Sequence, residues 1–190
     1  KGMKSKILGW VAVLAVAAPL AANAVPVLYN TGVNASGALV APGQTTSYWT
    51  LASAPSSSLA LTNPVRQFNV AYFADTPNSA WVSPGPVSLL GAYVYQQTFD
   101  LTGVNLATLS ISGVFGTDND GSISLNGNAP VATQGFAGFG TPTSFTFNSG
   151  FLPGVNTISV TVNNGGPPTA FHVRFTSISG GGGGVAVPEP

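Results

Sequence analysis

Cysteine is absent, histidine and methionine occur once each, and only 5% of the 190 residues are Asp, Glu, Lys or Arg, against about 25% in ordinary globular chains. Without cysteine there is no disulfide staple, no thiol nucleophile and no thiolate metal site. Export stays open, because a body of about 150 residues buries a sufficient core without cross-links. The basic residues are Lys1, Lys4, Lys6, Arg66 and Arg174; from Val25 onward two bases stand against five acids, Asp75, Asp100, Asp118, Asp120 and Glu189. No basic stripe exists to displace counterions from phosphates, which excludes a nucleic-acid partner.

Catalytic equipment is equally sparse. His172 lies between Phe171 and Val173 in a strand-like run; alternation turns it to the opposite face, toward solvent or the rim, and not into a base's position. No G-x-S-x-G elbow occurs. Glycoside hydrolysis needs two carboxyl groups across a cleft, and Asp75, Asp100, Asp118 and Asp120 each sit beside turn-forming residues. The expectation is a chain that is not an enzyme and needs no cofactor.

What the chain does have is punctuation and apolar alternation. Its first 24 residues, "KGMKSKILGWVAVLAVAAPLAANA", combine a lysine-bearing start, an apolar run from Ile7 to Ala18 and small residues at Ala22 and Ala24. That is the secretory signal pattern, with cleavage expected between Ala24 and Val25. The apolar run is about 12 residues, short of the roughly 20 that span a bilayer.

Residues 25–179 read as one domain of strands. "RQFNVAY" alternates through Phe68, Val70 and Tyr72, and "AYVYQQTFDL" through Tyr93, Tyr95, Gln97, Phe99 and Leu101. "LATLSISGVF" places Leu106, Leu109, Ile111 and Val114 near the core with an expected break at Gly113, and "GSISLNG" turns at Asn126-Gly127. "TSFTFNS", "VNTISVTVNN" and "AFHVRFTSIS" continue the pattern. Period-two runs bounded by Gly, Pro, Asn and Asp, with no helical segment between them, cannot form a crossover-linked parallel sheet; they predict an all-β antiparallel sandwich. Residues 180–190 open with five glycines and read as a flexible linker ending in "VPEP".

The stretches "NSAWVSPGP", "GAYVYQQTFDLTGVNLATLSISGVFGTDNDGSISLNG" and "FTFNSGFLPGVNTISVTVNN" together resemble the galactose-binding-like jelly roll, the sugar-binding sandwich of many glycosidases. The resemblance implies a jelly-roll β-sandwich. Val187, Pro188, Glu189 and Pro190 resemble the opening of a PEP-CTERM sorting signal, with Glu189 held between two prolines of fixed φ. In that family a membrane span and a basic cluster follow, and an exosortase in the inner membrane of a Gram-negative bacterium processes the signal. The resemblance implies signal peptidase and exosortase as processing partners, transient membrane anchoring, and a place on the cell surface or in the extracellular matrix beside polysaccharide.

Two sets of ligand-contacting candidates follow. "TDNDGS" groups Asp118, Asn119 and Asp120 before Gly121; hard oxygens at alternate positions suit calcium, although Ala129 stands where an EF-hand needs Glu. A hairpin turn in which Asp and Asn cap their own backbone explains the same residues. Trp49, Trp81, Tyr95, Phe136 and Phe139 are the rings available to a sugar. Trp81 stands out, set among Pro77, Pro84 and Pro86, with Phe136 and Phe139 in "QGFAGFGTP". The function expected is a non-catalytic, polysaccharide-associated module; the rival is a lectin-like domain with a defined, calcium-dependent ligand.

Overall fold

The computed structural model describes residues 26–56, 62–86 and 88–182. The signal segment, the Ala24–Val25 cleavage point and the Val187–Pro190 motif lie outside the described residues. The strands are β1 (Thr50–Ser53), β2 (Val65–Arg66), β3 (Val82–Ser83), β4 (Gly91–Asp100), β5 (Asn105–Asp118), β6 (Asp120–Leu125), β7 (Ala132–Gln134), β8 (Thr143–Phe147), β9 (Val155–Asn164) and β10 (Ala170–Gly181). They form two antiparallel five-stranded sheets, ordered β1-β4-β9-β6-β7 and β2-β3-β10-β5-β8. From β3 onward every connection except β6–β7 passes from one sheet to the other. The chain is thus an all-β sandwich wound in the jelly-roll manner.

Alternation builds the core as the sequence predicts. Tyr93, Tyr95 and Phe99 of β4, Ile158, Val160 and Val162 of β9, Ile111 and Phe115 of β5, and Phe171, Val173 and Phe175 of β10 are all buried in one cluster between the sheets. Apolar side chains from two inner faces interdigitate there, which is the main force closing a sandwich. Gln97 occupies an inward position and is 2% exposed. Its amide accepts from Tyr29 N–H at 2.9 Å and donates to the Tyr29 carbonyl at 2.7 Å, so a polar residue sits in the core with its groups satisfied.

The edge of β10 beyond its single pairing with β3 is closed by side chains. The Val173 N–H donates to Thr31 Oγ1 at 3.0 Å, and the Phe175 N–H to Asn30 Oδ1 at 2.8 Å. The leading segment thereby covers backbone donors that would otherwise be left unpaired at a sheet edge. β10 also extends through Gly181, which pairs with Asn105, so the first two glycines of the run belong to the sheet.

Three expectations about strands change. β5 runs unbroken through Gly113. The glycine serves close approach there: a Cβ would lie 2.5 Å from the Arg174 carbonyl oxygen and 2.6 Å from Phe145 Cζ. The run "RQFNVAY" is not a strand beyond Arg66, because Asn69 folds the chain back. Its Oδ1 accepts from Ala71 N–H at 2.9 Å and its carbonyl from Tyr72 N–H at 3.1 Å. Phe68 and Val70 are left 67% and 89% exposed. The Asp118–Asp120 stretch is not a hairpin turn either; it is the corner where the chain leaves the β5 sheet for the β6 sheet. The Asn126-Gly127 turn stands as read, with φ of 54° and 72°, values that favour Asn and Gly.

Candidate functional site

The segment between β2 and β3 folds over the outer face of the β10–β5 sheet and forms a flap. Tyr72, Trp81 and Ala170 are buried there as a second apolar cluster, with Phe73 and Phe139 packed against it. Trp81 meets Tyr72 at 4.4 Å and Phe73 at 4.8 Å between ring centroids. Gly116 makes this layer fit. A Cβ there would collide with Phe73 and come within 2.7 Å of Trp81 Cη2.

The flap overturns the expectation for His172. Alternation does turn it away from Phe171 and Val173, but that outer face is covered, and the ring is 1% exposed. Phe73 stands edge-on to it at 4.8 Å and Trp81 tilts over it at 5.7 Å. Neither ring nitrogen makes a hydrogen bond. Burial, reinforced by the Arg174 charge, lowers its pKa to about 3, while the nearby Ser79 carbonyl favours the charged form only weakly and lies outside bonding geometry. His172 is a neutral packing residue.

Trp81 is likewise not the exposed ring that its prolines suggest. It is 1% exposed, and its indole N–H donates to the Phe73 carbonyl at 3.0 Å. Trp49 and Tyr95 are in the main core. Phe139 is half-buried against the flap cluster. Phe136 remains 65% exposed on the loop after β7.

Asp118 and Asp120 hold separate partners. The Tyr72 hydroxyl donates to Asp118 Oδ2 at 2.9 Å, and the Asn119 amide to its Oδ1 at 2.8 Å. Burial pushes the Asp118 carboxyl up, with the Tyr72 bond opposing. Burial and then the Asp118 charge push the Tyr72 hydroxyl well up in turn. Asp120 accepts from the Asn163 amide at 3.0 Å on the β9 side. Among the described residues no group of three or more His, Asp or Glu side chains gathers around one point.

The flap creates two adjoining hollows. One of about 300 Å³ is lined by Arg66, Gln67, Phe68, Asn69, Tyr72, Asp75 and Trp81 among others. The next, about 440 Å³, shares Arg66, Gln67 and Phe68 and adds Pro42, Val65 and Pro86. The Arg66 guanidinium pairs with Asp75 Oδ2 at 2.9 Å, with side chains 18% and 22% exposed. It also donates to the Val40 carbonyl, while the other Asp75 oxygen accepts from Trp81 N–H at 3.2 Å. The groove therefore offers an exposed ring, an ion pair held on three segments, and the side-chain amides of Gln67 and Asn69. These are the components with which a protein grips a polyhydroxylated ring: an apolar face and a few fixed polar groups. Sequence reading missed Phe68 because it sits in phase with Val70 and Tyr72. The pointer available was Asn69, a turn former inside the supposed strand.

No family model, no curated protein and no solved structure matches this chain. The fold itself defines its class, an antiparallel β-sandwich with an outer-face flap.

Proposed function

We propose that this chain is an exported, non-catalytic surface or extracellular-matrix protein that associates with polysaccharide and holds glycan in the flap groove. In this reading signal peptidase cuts between Ala24 and Val25, and an exosortase reads Val187–Pro190. The observation that carries the binding role is Phe68, 67% exposed where two hollows meet and flanked by the Arg66–Asp75 pair. Phe68 does not stand alone: Val70, 89% exposed, follows it on the same structured loop, and the oriented polar groups of Arg66, Asp75 and Gln67 line the hollow beside it, the mixture of apolar and fixed polar contacts that a ligand site uses. Phe136, 65% exposed, offers a second ring to a long polymer. His172, whose pKa burial lowers to about 3, is a poor proton acceptor, in keeping with a non-catalytic role.

A narrower reading, a lectin-like domain with one defined ligand, uses the same half-open hollows, with Asp118 and Asp120 as its candidate calcium residues. One experiment addresses both. The melting temperature of the full chain is recorded against a panel of neutral and acidic glycans, with calcium and with chelator. A glycan at 100 times its dissociation constant adds about 2.7 kcal/mol of stability. The expected result is a shift with some glycans that calcium leaves unchanged. A shift only with calcium favours the lectin-like reading, and no shift with any glycan refutes glycan binding.

A further inference from the structure

A third hollow, of about 200 Å³, lies over the outer face of β5 and β10 and shares the Phe73–Ala74 wall with the groove. Its other lining residues are Thr76, Val114, Pro142, His172 and Arg174. Its chemistry differs from the groove's. Arg66 has Asp75, the one ion pair among the described residues. Asp118 and Asp120 are bonded to Tyr72, Asn119 and Asn163, and Asp100 to Thr102. Among the described residues Arg174 pairs with no carboxylate, and its Nε, like that of Arg66, is buried without an acceptor.

Arg174 is a partly buried residue with an enclosed Nε, and in a chain this poor in charge a cation lining a hollow is an available partner for an anion. The planar fork of arginine matches a carboxylate bidentately. Phe73, Val114 and Pro142 add apolar wall that suits the carbon face of a ring, beside Thr76 and His172. The volume falls below the roughly 300–1,000 Å³ of whole-ligand pockets, so the hollow takes one group of a larger molecule.

We propose that this hollow is a subsite for the carboxylate-bearing ring of an acidic sugar, with Arg174 holding the carboxylate and Phe73 the ring face. The proposal rests on the reading of the chain as polysaccharide-associated and narrows it to uronate-containing polymers. A polymer lying in the Phe68 groove reaches the subsite across the Phe73–Ala74 wall.

His172 makes the test clean, because it is the only histidine in the sequence and lines the hollow. The full chain with isotope-labelled histidine is titrated with glucuronate, glucose, acetate and inorganic phosphate, following the imidazole signals by NMR. The expected result is a saturable shift with glucuronate, none with glucose, and weaker binding of acetate and phosphate. Arg174→Met should weaken glucuronate binding roughly 10- to 100-fold, as loss of a charged hydrogen-bonded pair does, while neutral glycans still bind the Phe68 groove. Arg174→Lys keeps the charge without the fork, should fall between, and serves if the Met variant does not fold. Neutral glycans binding at Phe68 while glucuronate leaves His172 unmoved would overturn the subsite and leave the glycan reading standing. Acetate or phosphate binding as tightly as glucuronate would reduce the hollow to a bare anion site and overturn it too. No binding of any sugar, acidic or neutral, would sink both.

Discussion

His172 shows how one covering layer changes the meaning of a residue. Burial holds its pKa near 3 in the folded chain against 6.5 for a free imidazole. The folded state therefore resists a proton that the unfolded chain accepts, so this contribution to stability is fully present above about pH 6.5 and is lost progressively as pH falls toward 3. The limiting slope for one such group is roughly 1.4 kcal/mol per pH unit. Asp118 acts in the opposite sense: its raised pKa gives stability that is present at low pH and lost as pH rises through the folded value. Denaturant unfolding from pH 7 to 4.5 should show falling stability in the native chain and a flatter profile in His172→Phe, which keeps an aromatic ring among Phe73 and Trp81. An unchanged slope would mean that the imidazole is not sealed. The facing of His172 was legible from alternation with Phe171 and Val173; its burial was not, because the cover comes from residues about a hundred positions earlier. Trp81 and Phe68 exchanged their expected roles for the same reason. The flap turned the proline-flanked ring inward and left the ring in the apparent strand outside.

At the level of elements, period-two patterning placed β4, β8, β9 and most of β5, β6 and β10 correctly, because each of these strands has one face in the main core and one outside. It failed at Arg66 to Tyr72, where apolar residues are spaced like a strand but Asn69 turns the chain and a second cluster takes Tyr72. It also overread Gly113 as a break, when a glycine in a strand here marks close packing against Phe145. The flap depends on the bare outer face at Gly116. Gly116→Ala puts a methyl group into Phe73 and Trp81, and overpacking of that kind costs about 1–3 kcal/mol. Chemical denaturation should register that loss, and the His172 imidazole should become titratable nearer its ordinary range as the flap lifts. A variant as stable as the native chain, with His172 still silent, would contradict the close packing of flap on sheet.

For the whole molecule, composition and pattern together specified a two-layer antiparallel fold, and the two five-stranded sheets agree. A site is harder to read than a fold because it is assembled from segments distant in sequence: Val40, Arg66, Asp75 and Trp81 meet only through the flap. The central claim is that this flap makes a glycan groove with Phe68 at its middle. Calorimetric titration of the glycan giving the largest thermal shift, into the native chain and into Phe68→Ala, tests it most directly. Phe68 is exposed, so the substitution should change stability by no more than about 0.5 kcal/mol. The account predicts saturable binding by the native chain and at least about tenfold weaker binding by the variant, the loss of roughly 1.4 kcal/mol of ring contact. Equal affinity in the two proteins would contradict it.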